Sequence, residues 1–184
     1  MTRLLAMAAS HRTPSLNKHL LALAIEAARG QDTAITELDY AALDTPYRGE
    51  SKGSPLPPAI ERLSEALRTH DGILLAVPEY NWSIPGALKN LIDWLSLDSR
   101  TPWQGKTALL MCASPSPRGG VLGLQQLRMP LQQLGCWVYP QLISIGRASE
   151  QLQHGTFDRA ADEQHLSTCV ADFVRATKAL ASYA

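Results

Sequence analysis

No apolar run in the chain approaches the length of a membrane span, which excludes a transmembrane helix on sequence grounds. Neither charge is in excess. The 17 Lys and Arg residues balance 17 Asp and Glu, so composition argues for no DNA, RNA or anionic membrane partner. Cysteine is sparse: Cys112, Cys136 and Cys169 are widely spaced and odd in number. They form no C-x-x-C pair and no zinc pattern, so a disulfide framework and a metal site are both excluded as expectations. Cys112 and Cys136 lie among apolar residues and read as buried thiols. There is no G-x-x-x-x-G-K-[ST] loop, no G-x-G-x-x-G and no G-x-S-x-G, which removes the Walker, dinucleotide-fingerprint and serine-hydrolase readings. His11, His19, His70, His154 and His165 have no partners at metal or triad spacing and read as surface or capping residues.

What the chain does have is ample apolar content, 45%, in 184 residues, enough for one α/β core. No repeat, low-complexity tract or linker divides it, and residues 1–184 read as a single domain. The opening MTRLLAMAASHR carries a basic residue and an apolar run too short for an export signal, so the expectation is a cytoplasmic protein.

Strand-like and helix-like stretches alternate. Apolar or β-branched runs at 3–8, 33–38, 73–77, 106–112 and 137–143 read as strands. Helical spacing marks 15–29, 58–70, 120–134 and 158–182, and Leu88, Leu91, Ile92 and Leu95 mark a further helix starting at Pro85 and Gly86. Residues 39–58, with four prolines and two glycines, read as a long loop. The pattern predicts a doubly wound α/β fold with a five-stranded parallel sheet of order 2-1-3-4-5. That order gathers the loops after strands one, three and four around one crevice at the switch point, where ligands bind in such sheets.

Each of these loops carries candidate chemistry. The first, AASHRTPSLN, crowds Ser10, Arg12, Thr13, Ser15 and Asn17 at a helix start. Free helix-start amides, hydroxyls and a guanidinium suit a phosphate, and without glycines a single terminal phosphate fits better than a pyrophosphate. A helix cap by Ser15 is the alternative. The second loop, PEYNWSIPG, offers Pro78, Glu79, Tyr80, Asn81, Trp82 and Ser83, pinned between prolines. Glu79 could act as a base. Trp82 could stack on a ring or line a subunit interface, whereas Trp94 and Trp137 read as core. The third loop, ASPSPRGG, brings Ser114, Gly119 and Gly120 to the next helix, where paired glycines allow close approach to a flat ligand or simply a flexible connection.

Read together, the loops resemble the NAD(P)H-dependent FMN reductase family, a flavodoxin-like group that includes quinone, chromate and azo-dye reductases. Its GSxRxxSxN motif is met by Ser10, Arg12, Ser15 and Asn17, with Ala9 in place of the glycine. Its PEYNxSxPGxLKNxIDW motif is met throughout residues 78–94, and its serine and glycines after strand four by Ser114, Gly119 and Gly120. The resemblance implies bound FMN, with its phosphate at the first loop and its ring against Tyr80 and Asn81. It implies NAD(P)H as electron donor, a small acceptor such as a quinone, and a homodimer or homotetramer with residues 89–94 near the contact. No catalytic residue is needed, because the flavin carries the hydride chemistry. A non-enzymatic electron carrier and a supplier of reduced FMN to a monooxygenase are the alternatives; carriers of this fold are strongly acidic, and this chain is neutral. NADPH is favoured over NADH, with Arg118 or Arg48 as cations for a 2′-phosphate.

Overall fold

The structure is a computed structural model that describes residues 1–49, 55–152, 156–158 and 160–182; His154 and residues 50–54 of the long loop lie outside the described residues. Three central strands, β1 (Thr2–Ala8), β3 (Gly72–Ala76) and β4 (Thr107–Ala113), are apolar nearly throughout. A parallel strand covered on both faces requires that composition. With β2 (Thr33–Leu38) at one edge and β5 (Trp137–Val138) at the other, the order is β2-β1-β3-β4-β5, all parallel, as the sequence pattern predicts.

The twofold alternation of each strand sorts the core into two layers. Leu5, Met7, Ile73, Leu75, Ala108, Leu110 and Cys112 face α2 (Pro58–Thr69), α3 (Gly86–Leu95) and α4 (Val121–Gln133). Leu4, Ala6, Leu74, Ala76, Leu109 and Met111 face the other way, toward α1 (Leu16–Arg29) and α6 (Ala160–Ala181). Each helix supplies a stripe at the matching period: Leu20, Leu21, Ala24, Ile25 and Ala28 on α1, and Ile60, Leu63 and Leu67 on α2. Full burial of one such leucine contributes roughly 1.5–3 kcal/mol.

Strand five differs from its expected form. It is not continuous over 137–143: β5 ends at Val138, and a separate β6 (Ile143–Ile145) resumes pairing with β4 at Met111. Pro140 lies in the gap and has no N–H for a ladder. Arg128 of α4 donates to the carbonyls of Tyr139 and Pro140, satisfying backbone that the sheet does not. A four-residue helix, α5 (Ala148–Gln151), follows β6.

The tryptophans also need correction. Trp94 is buried as expected, but Trp137 is 60% exposed on the edge strand and is not core. Trp94 and Trp103 are buried in the helical layer, so they offer no surface for an oligomer contact. Trp94 Nε1 and Asn90 Nδ2 both donate to Pro46 O, and Asn90 Oδ1 accepts from Arg48 N–H; the long loop is thereby stapled to α3.

At the opposite end of the sheet from the loops after the strands, a buried polar cluster joins α2 to the segment before β4. Ser64 Oγ donates to Asp98, and Arg100 grips both carboxylate oxygens through Nε at 2.8 Å and a terminal nitrogen at 2.7 Å. Those hydrogen bonds, Arg100 first, hold the Asp98 carboxyl well below the usual carboxylate range. A folded-state value below the unfolded one gives stability that is present above about pH 4 and is lost as pH falls through the folded value. Asp98→Asn is expected to lower unfolding free energy by about 1.5–3 kcal/mol at pH 7, with the gap to wild type narrowing below about pH 4. Urea denaturation across that range tests this, and a gap that stays constant with pH would refute it.

Candidate cofactor site

The first loop is organised by hydroxyls. Ser15 caps α1: its Oγ accepts from Lys18 N–H at 3.3 Å and donates to Ser10 Oγ at 3.0 Å. Ser10 Oγ also accepts from Arg12 N–H, at 3.3 Å. Both serines are buried, while Arg12 and Thr13 reach solvent. The first turn of α1 has no acidic side chain, so its positive end is left for an external anion. Ser15 therefore caps the helix, as the alternative reading has it, and the cap leaves the positive helix end without an acidic side chain of its own. Asn17 is different. Its side-chain amide donates to Ala113 O at 3.0 Å and accepts from Ala113 N–H at 3.0 Å, bracing the helix start against the end of β4. Ala9 packs its methyl into the core layer beside Met7 and Val77, so the departure from glycine is absorbed there. His11, at the tip, stacks tilted on Tyr40 with centroids 4.6 Å apart. Burial pushes the Tyr40 phenol up to about 12, with Tyr80 adding to the effect.

The second loop makes a tight reversal. Tyr80 and Ser83 exchange N–H···O bonds of 2.9 Å each, and the two residues between them, Asn81 and Trp82, have φ of 50° and 64°. Positive φ at both central positions is the geometry of a type I′ turn, which favours Asn and Gly and disfavours Trp. Glu79 has a structural partner: its Oε2 accepts from Gly123 N–H at 2.8 Å, placing a carboxylate at the start of α4.

The third loop folds back on β6 and α5. Ser114 N–H donates to Ile145 O and Ser114 O accepts from Ala148 N–H. Gly119 and Gly120 are buried, with φ of 65° and 76°. A Cβ on Gly120 would sit 2.3 Å from Cys112 Sγ, and one on Gly119 2.3 Å from Ser144 Oγ. The paired glycines are thus required by close packing behind the loop, and they are not among the residues lining the cleft. Burial pushes the Cys112 thiol to about 12, which keeps it inert.

The three loops meet at one cleft of about 350 Å³. Ser10, Arg12, Ser15 and Asn17 form one wall, Pro78, Glu79 and Tyr80 a second, and Ser114 a third. The sequence reading missed Pro14, Leu16, Ala113, Pro115 and Ser149, which also line it. Ser149 arrives on α5 by the same strand, loop, helix grammar as the others, but β6 is too short to stand out. Thr13, Asn81, Trp82, Ser83 and Arg118 stand outside the lining. Arg118 nonetheless joins the second and third loops, its guanidinium 4.9 Å from the Trp82 ring centroid. Arg48 lies on the long loop against α3 and does not line the cleft.

The donor set fits FMN: hydroxyls, helix-start amides and a guanidinium on one wall for a phosphate dianion, and proline, tyrosine and serine faces on the others for a flat ring system. The sequence model of the NADPH-dependent FMN reductase family matches residues 2–150. The chain belongs to that family. This places it among the flavodoxin-like, FMN-dependent oxidoreductases driven by NAD(P)H. An NAD(P)H-dependent FMN reductase of Pseudomonas aeruginosa is 44% identical over 75 residues, a match spanning 41% of this chain and 40% of that protein. A quinone reductase of Escherichia coli is 32% identical over 131 residues, 66% of this chain and 68% of that one. Among solved structures, the flavoenzyme NAD(P)H:(acceptor) oxidoreductase FerB of Paracoccus denitrificans superposes with a TM-score of 0.83 at 25% identity, covering 97% of this chain and 98% of that one.

Gly120→Ala is expected to destabilise the fold by about 1–3 kcal/mol from backbone strain alone, and further through the clash with Cys112. Cys112→Ala in the same chain should recover part of that loss, as thermal unfolding of the single and double variants would reveal. Full additivity would show that the thiol is not what the methyl meets.

Proposed function

We propose that the chain is a quinone-type reductase in which electrons from NAD(P)H pass through FMN held in the three-loop cleft to a small flat acceptor. The observation that carries this reading is the junction of an acid-free, hydroxyl-rich helix start with the Pro78–Glu79–Tyr80 wall in one cleft. When bound, FMN supplies the two-electron chemistry. Ser10, Ser15 and Arg12 hold the phosphate, Arg12 with a charge-assisted contact from the rim. Pro78 and Tyr80 line the ring. Asn17 positions the phosphate wall through Ala113, and Glu79 positions the ring wall through α4. The quinone assignment is supported by relatives such as the Escherichia coli quinone reductase and the NAD(P)H:quinone oxidoreductase of Solanum tuberosum.

The reading extends to a single flavodoxin-like domain, a cytoplasmic location and a homo-oligomer. One sheet with a core layer on each face supports the first. Three free buried thiols suit a reducing compartment, and no described helix is long and apolar enough to cross a membrane. Exposed Tyr47, Met129 and Trp137 supply apolar surface for self-association. Light scattering at micromolar concentration should return at least twice the chain mass of 20.1 kDa; a monomer would overturn the oligomer.

The purified protein should be yellow and should reduce a soluble quinone at the expense of NAD(P)H. Arg12→Ala should weaken FMN binding by about 1.5–3 kcal/mol in a flavin-fluorescence titration. Riboflavin, which lacks the phosphate, should bind wild type far more weakly than FMN. Equal affinity for the two flavins would remove the phosphate assignment.

A further inference from the structure

Trp82 and Arg118 form a built feature at the rim of the cleft that the proposed flavin site does not use. Trp82 holds φ of 64° beside Asn81 at 50°, a conformation that is an outlier for so bulky a side chain. That backbone is enforced by the paired Tyr80–Ser83 hydrogen bonds. Core packing does not account for it, because Trp82 is 62% exposed. The ring it presents lies against a cation, Arg118, at 4.9 Å. Arg118 is exposed as well, yet its backbone is fixed: its N–H donates to Ser116 Oγ at 3.3 Å, and its carbonyl accepts from Ser144 Oγ at 3.2 Å. Two anchored backbones, on two of the loops that build the cleft, therefore present two solvent-facing side chains to each other. Neither side chain lines the cavity, although Tyr80 and Pro115, close by on the same two loops, do.

The geometry points to a nucleotide reader: Arg118, held in place by the Trp82 ring, grips the 2′-phosphate of NADPH, and Trp82 is its positioning residue. An exposed guanidinium spends little time in any one place, and its contact with the indole, 4.9 Å from the ring centroid, restricts it, while none of its side-chain N–H groups hydrogen-bonds another described residue. The in-plane N–H groups stay available for a bidentate grip on phosphate. Chain neutrality makes this local cation matter, because no general positive field draws the nucleotide in. The inference rests on the NAD(P)H-driven reading above and adds to it the residue pair that chooses between NADPH and NADH.

The test uses the FMN-loaded protein and two readouts. In the first, 2′,5′-ADP and 5′-ADP are titrated by calorimetry, which needs no turnover. Wild type should bind 2′,5′-ADP the more tightly, and Arg118→Ala should lose about tenfold or more of that preference. Trp82→Ala should lose about three- to fivefold, Trp82→Phe should retain most of the preference, and Arg118→Lys should fall between wild type and Arg118→Ala. The Trp82→Ala/Arg118→Ala double variant should be no worse than Arg118→Ala alone, because the indole acts only through the arginine. In the second readout, the ratio of kcat/KM for NADPH to that for NADH should move in step, with the change carried by KM. Visible flavin absorbance identifies any variant that fails to fold or load, in which case Arg118→Lys and Trp82→Phe decide. A preference for the 2′-phosphate that survives Arg118→Ala, its absence in wild type, or additive loss in the double variant overturns the inference. If wild type oxidises neither nucleotide, the functional reading fails, and the titration still decides whether this rim reads phosphate.

Discussion

Asn17 carries the constraint on which the cleft depends. One side-chain amide satisfies both the N–H and the carbonyl of Ala113, at the point where β4 leaves the sheet. The two residues are far apart in sequence, and the amide is buried, so the exchange is made where water competes least. Its effect is to fix the start of α1 against the start of the third loop. Everything on the first wall of the cleft then inherits its position: Ser15 is set by its place one residue before the helix, Ser10 by its bond to Ser15, and the Arg12 backbone by its bond to Ser10. Loss of Asn17 would leave two buried backbone groups unpaired as well as loosening that chain of contacts.

The second wall of the cleft is built by a second, independent linkage. Glu79 meets the first turn of α4 through Gly123, a close approach in which a Cβ on Gly123 would lie 3.0 Å from Ser83 O and 3.2 Å from Glu79 Cβ. A carboxylate in this position is favoured by the helix dipole and occupied by a hydrogen bond. The division of labour is then clear. On the first loop Ser10, Ser15 and Asn17 are braced by hydrogen bonds and the Arg12 side chain reaches solvent, while the acid of the second loop bonds to α4.

Legibility in the sequence followed the strength of the periodic signal. The long apolar runs of β1, β3 and β4 and the helical stripes of α1 and α2 were plain, and with the alternation they yielded sheet order and crevice. The PEYNWSIPG segment announced an ordered loop through its prolines. What failed was whatever depends on tertiary detail. Gly119 and Gly120 read as an approach to a flat ligand or a flexible connection, and the close packing against Ser144 and Cys112 behind them left no mark in the sequence. Trp137 read as core, but on the edge strand it turns outward between buried Cys136 and Val138, as alternate strand residues do. Ser149 went unseen because three residues of strand and four of helix leave too little pattern to detect.

The interrupted strand at the sheet's edge has a bearing on how copies of the chain can meet. An uninterrupted outer strand is a template on which a foreign strand can zip, the route to runaway aggregation. Here the ladder is split into a two-residue and a three-residue piece, with Pro140 between them and Arg128 already occupying the carbonyls of Tyr139 and Pro140. A strand added alongside would find its hydrogen-bonding rail broken midway. At this edge of the sheet, self-association is thereby steered away from strand addition and toward contacts made by side chains.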